Sequence, residues 1–180
     1  MRITVFGGSA PKPNQPAYQE AYHLGELIAE AGHTVLTGGY IGTMEAVSRG
    51  ATEAGGHVVG VTCDEIESWR PVTPNPWIEE EIRFATVRER MFRLIEDCDT
   101  AFALPGGVGT LAEIATMWNQ MQTQAIPARP LIIIGEGWKA MFEQWFALSG
   151  MYIPPDQRQV VSFASDVEHA FNQFIQLSKS

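Results

Sequence analysis

Short apolar runs bounded by glycine recur along the chain, each followed by a stretch whose apolar residues return at helical spacing. The runs Ile3–Phe6, Val35–Thr37, Val58–Val61, Ala101–Leu104 and Leu131–Ile134 are predicted strands, too continuously apolar to face water on one side. Between the first two, Ala17, Ala21, Leu24, Leu27, Ile28 and Ala31 fall on one helical stripe, and Gly32 ends it as a C′ residue would. Helices are also expected around 43–54, 87–97, 110–123 and 138–148, and a last one over about 165–177 opens after Ser165 as N-cap. This alternation predicts an α/β, Rossmann-like three-layer αβα sandwich with a mainly parallel sheet. The stretch Asp64–Pro76, with three prolines and Trp69, breaks the rhythm and reads as an irregular excursion over the domain, either a lid or a packed surface loop.

With 180 residues, 45% of them hydrophobic, residues 1–180 are expected to form a single domain. The net charge of −9 and the lack of any basic run remove the electrostatic footprint of a protein that holds polymeric nucleic acid. A small anion is not excluded, because the field it meets is set by local backbone N–H groups and one or two arginines. Cys63 and Cys98 stand far apart with no CxxC partner and read as buried apolar thiols. No signal-like leader and no 18-residue apolar stretch is present, so no membrane association and a cytoplasmic location are expected.

Three glycine-rich strand-to-helix turns carry the candidate chemistry: Gly7-Gly8-Ser9, Gly38-Gly39-Tyr40-Ile41-Gly42 and Pro105-Gly106-Gly107-Val108-Gly109-Thr110. In a doubly wound sheet such turns share the carboxyl edge, where ligands bind. Glycine lets the backbone approach an anion, and the following helix offers unpaired N–H groups and the positive end of its dipole. The third turn is neither a Walker A loop nor a GxGxxG fingerprint, which argues against ATP hydrolysis and against NAD. A phosphate of a small nucleotide is the expected ligand, with Gly8, Ser9, Gly38, Gly39, Gly42, Met44, Glu45 and Pro105 through Thr110 as candidate contacts.

The run Pro105-Gly-Gly-Val-Gly-Thr-Leu-Ala-Glu113 resembles the PGGxGTxxE hallmark of the LOG (lonely guy) family. The resemblance extends over Val5–Ser9, Thr37–Glu45, the Asp99–Leu104 strand and Trp118, nearly the whole chain. It implies an N-glycosidic hydrolase that acts on cytokinin riboside 5′-monophosphates or AMP and releases free base and ribose 5-phosphate. The family's catalytic arginine and glutamate map onto Arg90 and Glu113, with Arg90 fifteen positions before Pro105 as in the family. The family's M-H-x-R-K segment here reads Val87-Arg88-Glu89-Arg90-Met91, and its Met-Gly in the second turn is Met44-Glu45, which marks a divergent branch. LOG-like proteins are commonly dimers, so a homodimer or higher homo-oligomer is expected. The scaffold also resembles molybdenum-cofactor carrier proteins with a PGGxGT loop, which leaves a non-catalytic carrier as the rival. A lysine decarboxylase label often given to the family would need pyridoxal phosphate on a lysine. Lys12, Lys139 and Lys179 all lie outside the candidate catalytic segments, although Lys12 follows the first turn.

Cleaving a ribosyl C–N bond builds positive charge on the sugar, and Glu113 is placed to stabilise it or to activate water. Arg90 could orient Glu113, bind ribose hydroxyls or brace the phosphate. Both have plainer readings. Thr110-x-x-Glu113 has the pattern of a capping box, as does Thr86-x-x-Glu89, which is read as the cap of the Arg90 helix. On that helix Val87, Met91, Leu94, Ile95 and Cys98 form the predicted buried stripe, with Arg90, Arg93 and Asp97 on the neighbouring strip, where a surface ion pair competes as the role of Arg90. Leu111, Ile114, Ala115, Trp118 and Met121 are core or subunit interface before they are a base-binding box. His23, His33, His57 and His169 are scattered, and no metal or other cofactor is expected.

Overall fold

The computed structural model describes residues 1–178, so Lys179 lies outside the described residues. Seven strands, β1 (Arg2–Phe6), β2 (Thr34–Thr37), β3 (Val58–Cys63), β4 (Glu80–Phe84), β5 (Thr100–Ala103), β6 (Leu131–Ile134) and β7 (Ser162–Ala164), form one sheet in the order β4-β3-β2-β1-β5-β6-β7. Every pairing is parallel. Helices α1 (Pro16–Glu30), α2 (Thr43–Glu53), α3 (Asp64–Trp69), α4 (Val87–Glu96), α5 (Val108–Gln122), α6 (Glu136–Leu148), α7 (Pro155–Arg158) and α8 (Val167–Leu177) connect them. The α/β Rossmann-like sandwich anticipated from the patterning is therefore the fold.

Strand alternation divides the core into two layers. Ile3, Val5, Ile132 and Ile134 pack with the buried faces of α1, α2 and α8, while Phe6, Leu131 and Ile133 pack with those of α4, α5 and α6. All five predicted strands are present, and two more were not anticipated. β4 reads Glu-Glu-Ile-Arg-Phe at the sheet edge, where charges guard against pairing with another chain and hide the apolar signature. β7 has only three residues, too few for a periodicity. Cys63 and Cys98 are free, buried thiols, as read. Among the described residues no helix is long and apolar enough to cross a membrane.

Several local expectations shift. Gly32 does take the C′ position of α1, with His33 N–H bonding back to the Ile28 carbonyl at 3.1 Å. The N-cap of α8 is Asp166, not Ser165: its carboxylate accepts from His169 N–H at 2.8 Å, and Ser165 Oγ donates to that same carboxylate. The excursion from Asp64 begins as helix α3 and turns irregular only where Arg70 precedes Pro71, since a residue before proline is pushed out of the helical region. Trp118 and Met121 are buried within the chain, with Trp118 Nε1 donating to the Gln157 carbonyl.

Helix α4 departs most from its predicted face. Its start is fixed by the expected capping box, with Thr86 Oγ1 accepting from Glu89 N–H at 3.2 Å and the Glu89 carboxylate accepting from Thr86 N–H at 3.1 Å. From that start Leu94 and Ile95 are buried as predicted, Val87 is exposed, and Arg90 is buried instead of lying on the solvated strip. Arg93 pairs with Asp97 at 2.7 Å on the surface. Apolar periodicity cannot foresee a buried arginine, whose burial depends on acceptors contributed by other elements. Because the box sets the register of Arg90, Thr86→Ala is expected to cost about 1 kcal/mol and to lower the melting temperature by roughly 2–4 °C. Scanning calorimetry checks this, and an unchanged melting temperature would show that the box does not hold the helix start.

Candidate active site

The strand order reverses at β1, whose neighbours are β2 and β5, and the helices that follow β1 and β5 lie in opposite layers. A crevice opens at the carboxyl ends of such strands. The three glycine turns meet there through one residue. Gly8 N–H donates to the Pro105 carbonyl at 3.1 Å, and the Gly8 carbonyl accepts from Thr43 N–H at 3.0 Å and from Thr43 Oγ1 at 2.9 Å. Gly42, the N-cap of α2, has φ +75°, and a Cβ there would stand 2.5 Å from the Ser9 carbonyl carbon and 2.6 Å from Gly8 O. Only glycine permits that contact.

The third turn is shorter than the sequence suggested. Helix α5 is capped at Gly107, so Val108, Gly109 and Thr110 already belong to its first turn. No side chain caps this end, and its leading N–H groups have no intrahelical acceptor. Pro105, Gly106, Gly107, Val108 and Gly109 are exposed, with Val108 at 85%, while Thr110 is buried. The result is an open ring of backbone donors at the positive end of a fifteen-residue helix, a geometry suited to an anion.

The capping-box reading of Thr110 and Glu113 is thereby corrected: with Gly107 as cap, Glu113 lies beyond the positions that close on a helix start. Among the described residues its carboxylate has no hydrogen-bond or ion-pair partner. Desolvation raises its pKa from 4.5 to about 7, against the lowering effect of the positive charge of Arg90. Two residues with the same Thr-x-x-Glu spacing thus differ in state, Glu89 tied to its own helix and Glu113 free.

Arg90 is 6% exposed and has no carboxylate partner among the described residues, so the surface ion pair is also ruled out. Its Nε donates to the Val61 carbonyl at 2.7 Å and its Nη2 to the Gly38 carbonyl at 2.9 Å, with the Met44 sulfur 3.6 Å from Nη2. The guanidinium lies over the Tyr40 ring at 5.6 Å. Nη1 makes no hydrogen bond to the described residues and remains available. Position 38 must be glycine for this arrangement, because a Cβ would come within 1.8 Å of Nη2.

In the second turn the Glu45 carboxylate accepts from Tyr18 OH of α1 at 3.1 Å through Oε1. Burial and the Glu45 charge push the Tyr18 phenol up to about 12. Gly39 accepts from Asn75 N–H at 2.8 Å, and Asn75 Nδ2 donates to the Tyr40 carbonyl at 3.0 Å, so the excursion is tied down on the second turn. Tyr40, Arg70 and Asn75 were missed from the sequence. Tyr40 sits inside a turn already singled out, and Arg70 is a cation in a proline-rich stretch of an acidic chain; neither has a periodicity to announce it. Lys12 and Lys139 are exposed.

Residues 1–145 match the model of the SLOG cluster4 family. A probable cytokinin riboside 5′-monophosphate phosphoribohydrolase of Oryza sativa subsp. japonica is 31% identical over 97% of this chain and 72% of its own length. Among solved structures, the molybdenum cofactor binding protein of the phototrophic bacterium Rippkaea orientalis superposes with a TM-score of 0.75 at 26% identity, covering 98% of this chain and 96% of that one. The molybdenum cofactor carrier protein of Chlamydomonas reinhardtii gives 0.72 at 25%, covering 99% and 98%. With its glycine turns, its buried Arg90 and the hallmark ending in Glu113, the chain belongs to the SLOG cluster4 family, among the LOG proteins and their relatives.

Proposed function

We propose that this protein is a nucleoside 5′-monophosphate phosphoribohydrolase that cleaves the N-glycosidic bond of AMP or a cytokinin riboside monophosphate to free base and ribose 5-phosphate. The observation that carries this reading is Glu113: a carboxylate released from capping, desolvated, and close enough to Arg90 to feel its charge. The 5′-phosphate rests on the backbone donors of Gly106 through Thr110, which places the sugar over the first turns of α5. As the C1′–N bond breaks, its electron pair leaves with the base, which takes up the proton that Glu113 receives from the attacking water. Water adds to C1′ and gives a proton to Glu113, whose negative charge also stabilises the developing oxocarbenium ion. Arg90, anchored through Nε and Nη2, offers Nη1 to Glu113 or to ribose hydroxyls.

A second reading is a non-catalytic carrier, favoured by the likeness to molybdenum cofactor proteins. It shares the phosphate loop and does not require an ionisable Glu113.

We also infer a homodimer. A groove of about 720 Å³ lies between α5 and α6 and is lined by Trp118, Phe142, Trp145 and Tyr152. Beside it Leu148, Met151 and Tyr152 are more than 75% exposed, an apolar patch of the kind that subunit contacts cover.

Incubation with AMP is expected to release adenine, seen by chromatography, and Glu113→Gln to lower kcat by about 10²- to 10⁴-fold while binding survives. No turnover across a panel of nucleoside monophosphates would select the carrier. The raised pKa of Glu113 also destabilises the fold once ionised: the cost is absent below about pH 4.5, where the carboxyl is protonated whether folded or unfolded, grows as pH rises, and is complete above about 7. Glu113→Gln therefore raises stability at pH 8 by up to about 3 kcal/mol, and the gain vanishes by pH 4.5; equal gains at both pH values in thermal melts would contradict this. Sedimentation at micromolar concentration is expected to give the mass of two chains, and a one-chain mass removes the dimer.

A further inference from the structure

We propose that Arg70 is a phosphate-binding cation, carried to the first glycine turn by the segment between α3 and β4, which acts as a strap across the site. The proposal rests on reading the Pro105–Thr110 turn as a phosphate site, and not on hydrolysis.

Local sequence explains how Arg70 gets there. Pro71 forces it into extended backbone, φ −140° and ψ 133°, which ends α3. The strap is anchored on both sides of residues 70–74. On the α3 side, Glu67 accepts from Arg83 of β4 at 2.8 Å and from Tyr40 OH at 3.2 Å. On the other, Asn75 is buried and bonded to Gly39 and Tyr40. From between these anchors the Arg70 side chain crosses to Ser9, donating from Nη1 to Oγ at 3.3 Å. Ser9 follows Gly8, the residue bonded to Pro105, so Arg70 stands one residue from the contact between the first turn and the phosphate loop.

The Arg70 guanidinium keeps most of its donors uncommitted. Arg2, Arg49, Arg83 and Arg93 each pair with a carboxylate, Arg129 and Arg158 donate to backbone carbonyls, and Arg88 lies over the Phe92 ring, away from the glycine turns. Among the described residues the Arg70 side chain has neither a carboxylate nor a carbonyl partner. Its one hydrogen bond is the long one to Ser9, and its Nε is buried with no acceptor. A guanidinium has five N–H donors, and a buried donor left unpaired is costly. What sets Arg70 apart is its place: its uncommitted donors lie on Ser9, one residue from the contact between the first turn and the open end of α5. Trp69, 78% exposed, lies 5.4 Å from the Arg70 guanidinium and shields one of its faces, which limits the directions in which the fork can point. The planar fork suits a phosphate oxygen held at the α5 terminus.

Titration calorimetry with ribose 5-phosphate and with adenosine tests the proposal on the intact chain. Arg70→Gln is expected to weaken ribose 5-phosphate by about 10- to 100-fold and leave adenosine unchanged, and Arg70→Lys, which keeps the charge but not the fork, to fall between. Should Arg70→Gln fold poorly in a thermal melt, the Arg70→Lys comparison carries the same decision. Wild-type affinity for ribose 5-phosphate in both variants, an equal loss for adenosine, or no ribose 5-phosphate binding by the unaltered protein each overturns the strap. If the unaltered protein fails to hydrolyse AMP while the ribose 5-phosphate effect is found, the hydrolase reading falls and the strap stands.

Discussion

The peptide groups of a single residue hold the site together. Gly8 donates to the third turn through Pro105 and accepts twice from Thr43 at the start of α2, so three strand-to-helix connections from β1, β2 and β5 are cross-linked within a few ångströms. Everything downstream depends on this. The open end of α5 is aimed by the first bond, the placement of the second turn by the other two, and the position of Ser9 by both. Hydrogen bonds of this kind contribute about 1 kcal/mol each to stability. Their greater effect is geometric, because they remove the freedom of three loops that would otherwise move independently.

The second constraint is electrostatic. A buried arginine is tolerated because carbonyls of β3 and of the second turn accept from it and an aromatic ring lies beneath it. With no carboxylate tied to it, its charge is free to act on Glu113, which without that charge would be driven still further from ionisation by its own burial. The pair is poised: burial of the acid and proximity of the base oppose each other, and the balance falls near neutrality.

Much of this was legible in the sequence, and the exceptions share a cause. Five of the seven strands, the helical layers and the three turns followed from apolar runs and glycine placement. β4 was not legible because an exposed edge strand is written in charges, and the buried face of α4 was misjudged because periodicity treats every arginine as surface. Glu89 and Glu113 occupy identical local patterns, and only the actual helix start, at Gly107 rather than Thr110, separates a capping carboxylate from an uncapped one. Arg70 depends on a contact spanning 61 positions, which no local pattern encodes.

The absent side chain at position 38 has a consequence for descent. Because a Cβ there would collide with the Arg90 guanidinium, two positions 52 apart are sterically coupled. A lineage that places any side chain at 38 evicts the guanidinium, and a lineage that trades the arginine for something smaller is released to vary at 38. Reading the two columns together across related chains therefore sorts those that retain this arginine seat from those that have abandoned it, without reference to what any of them binds.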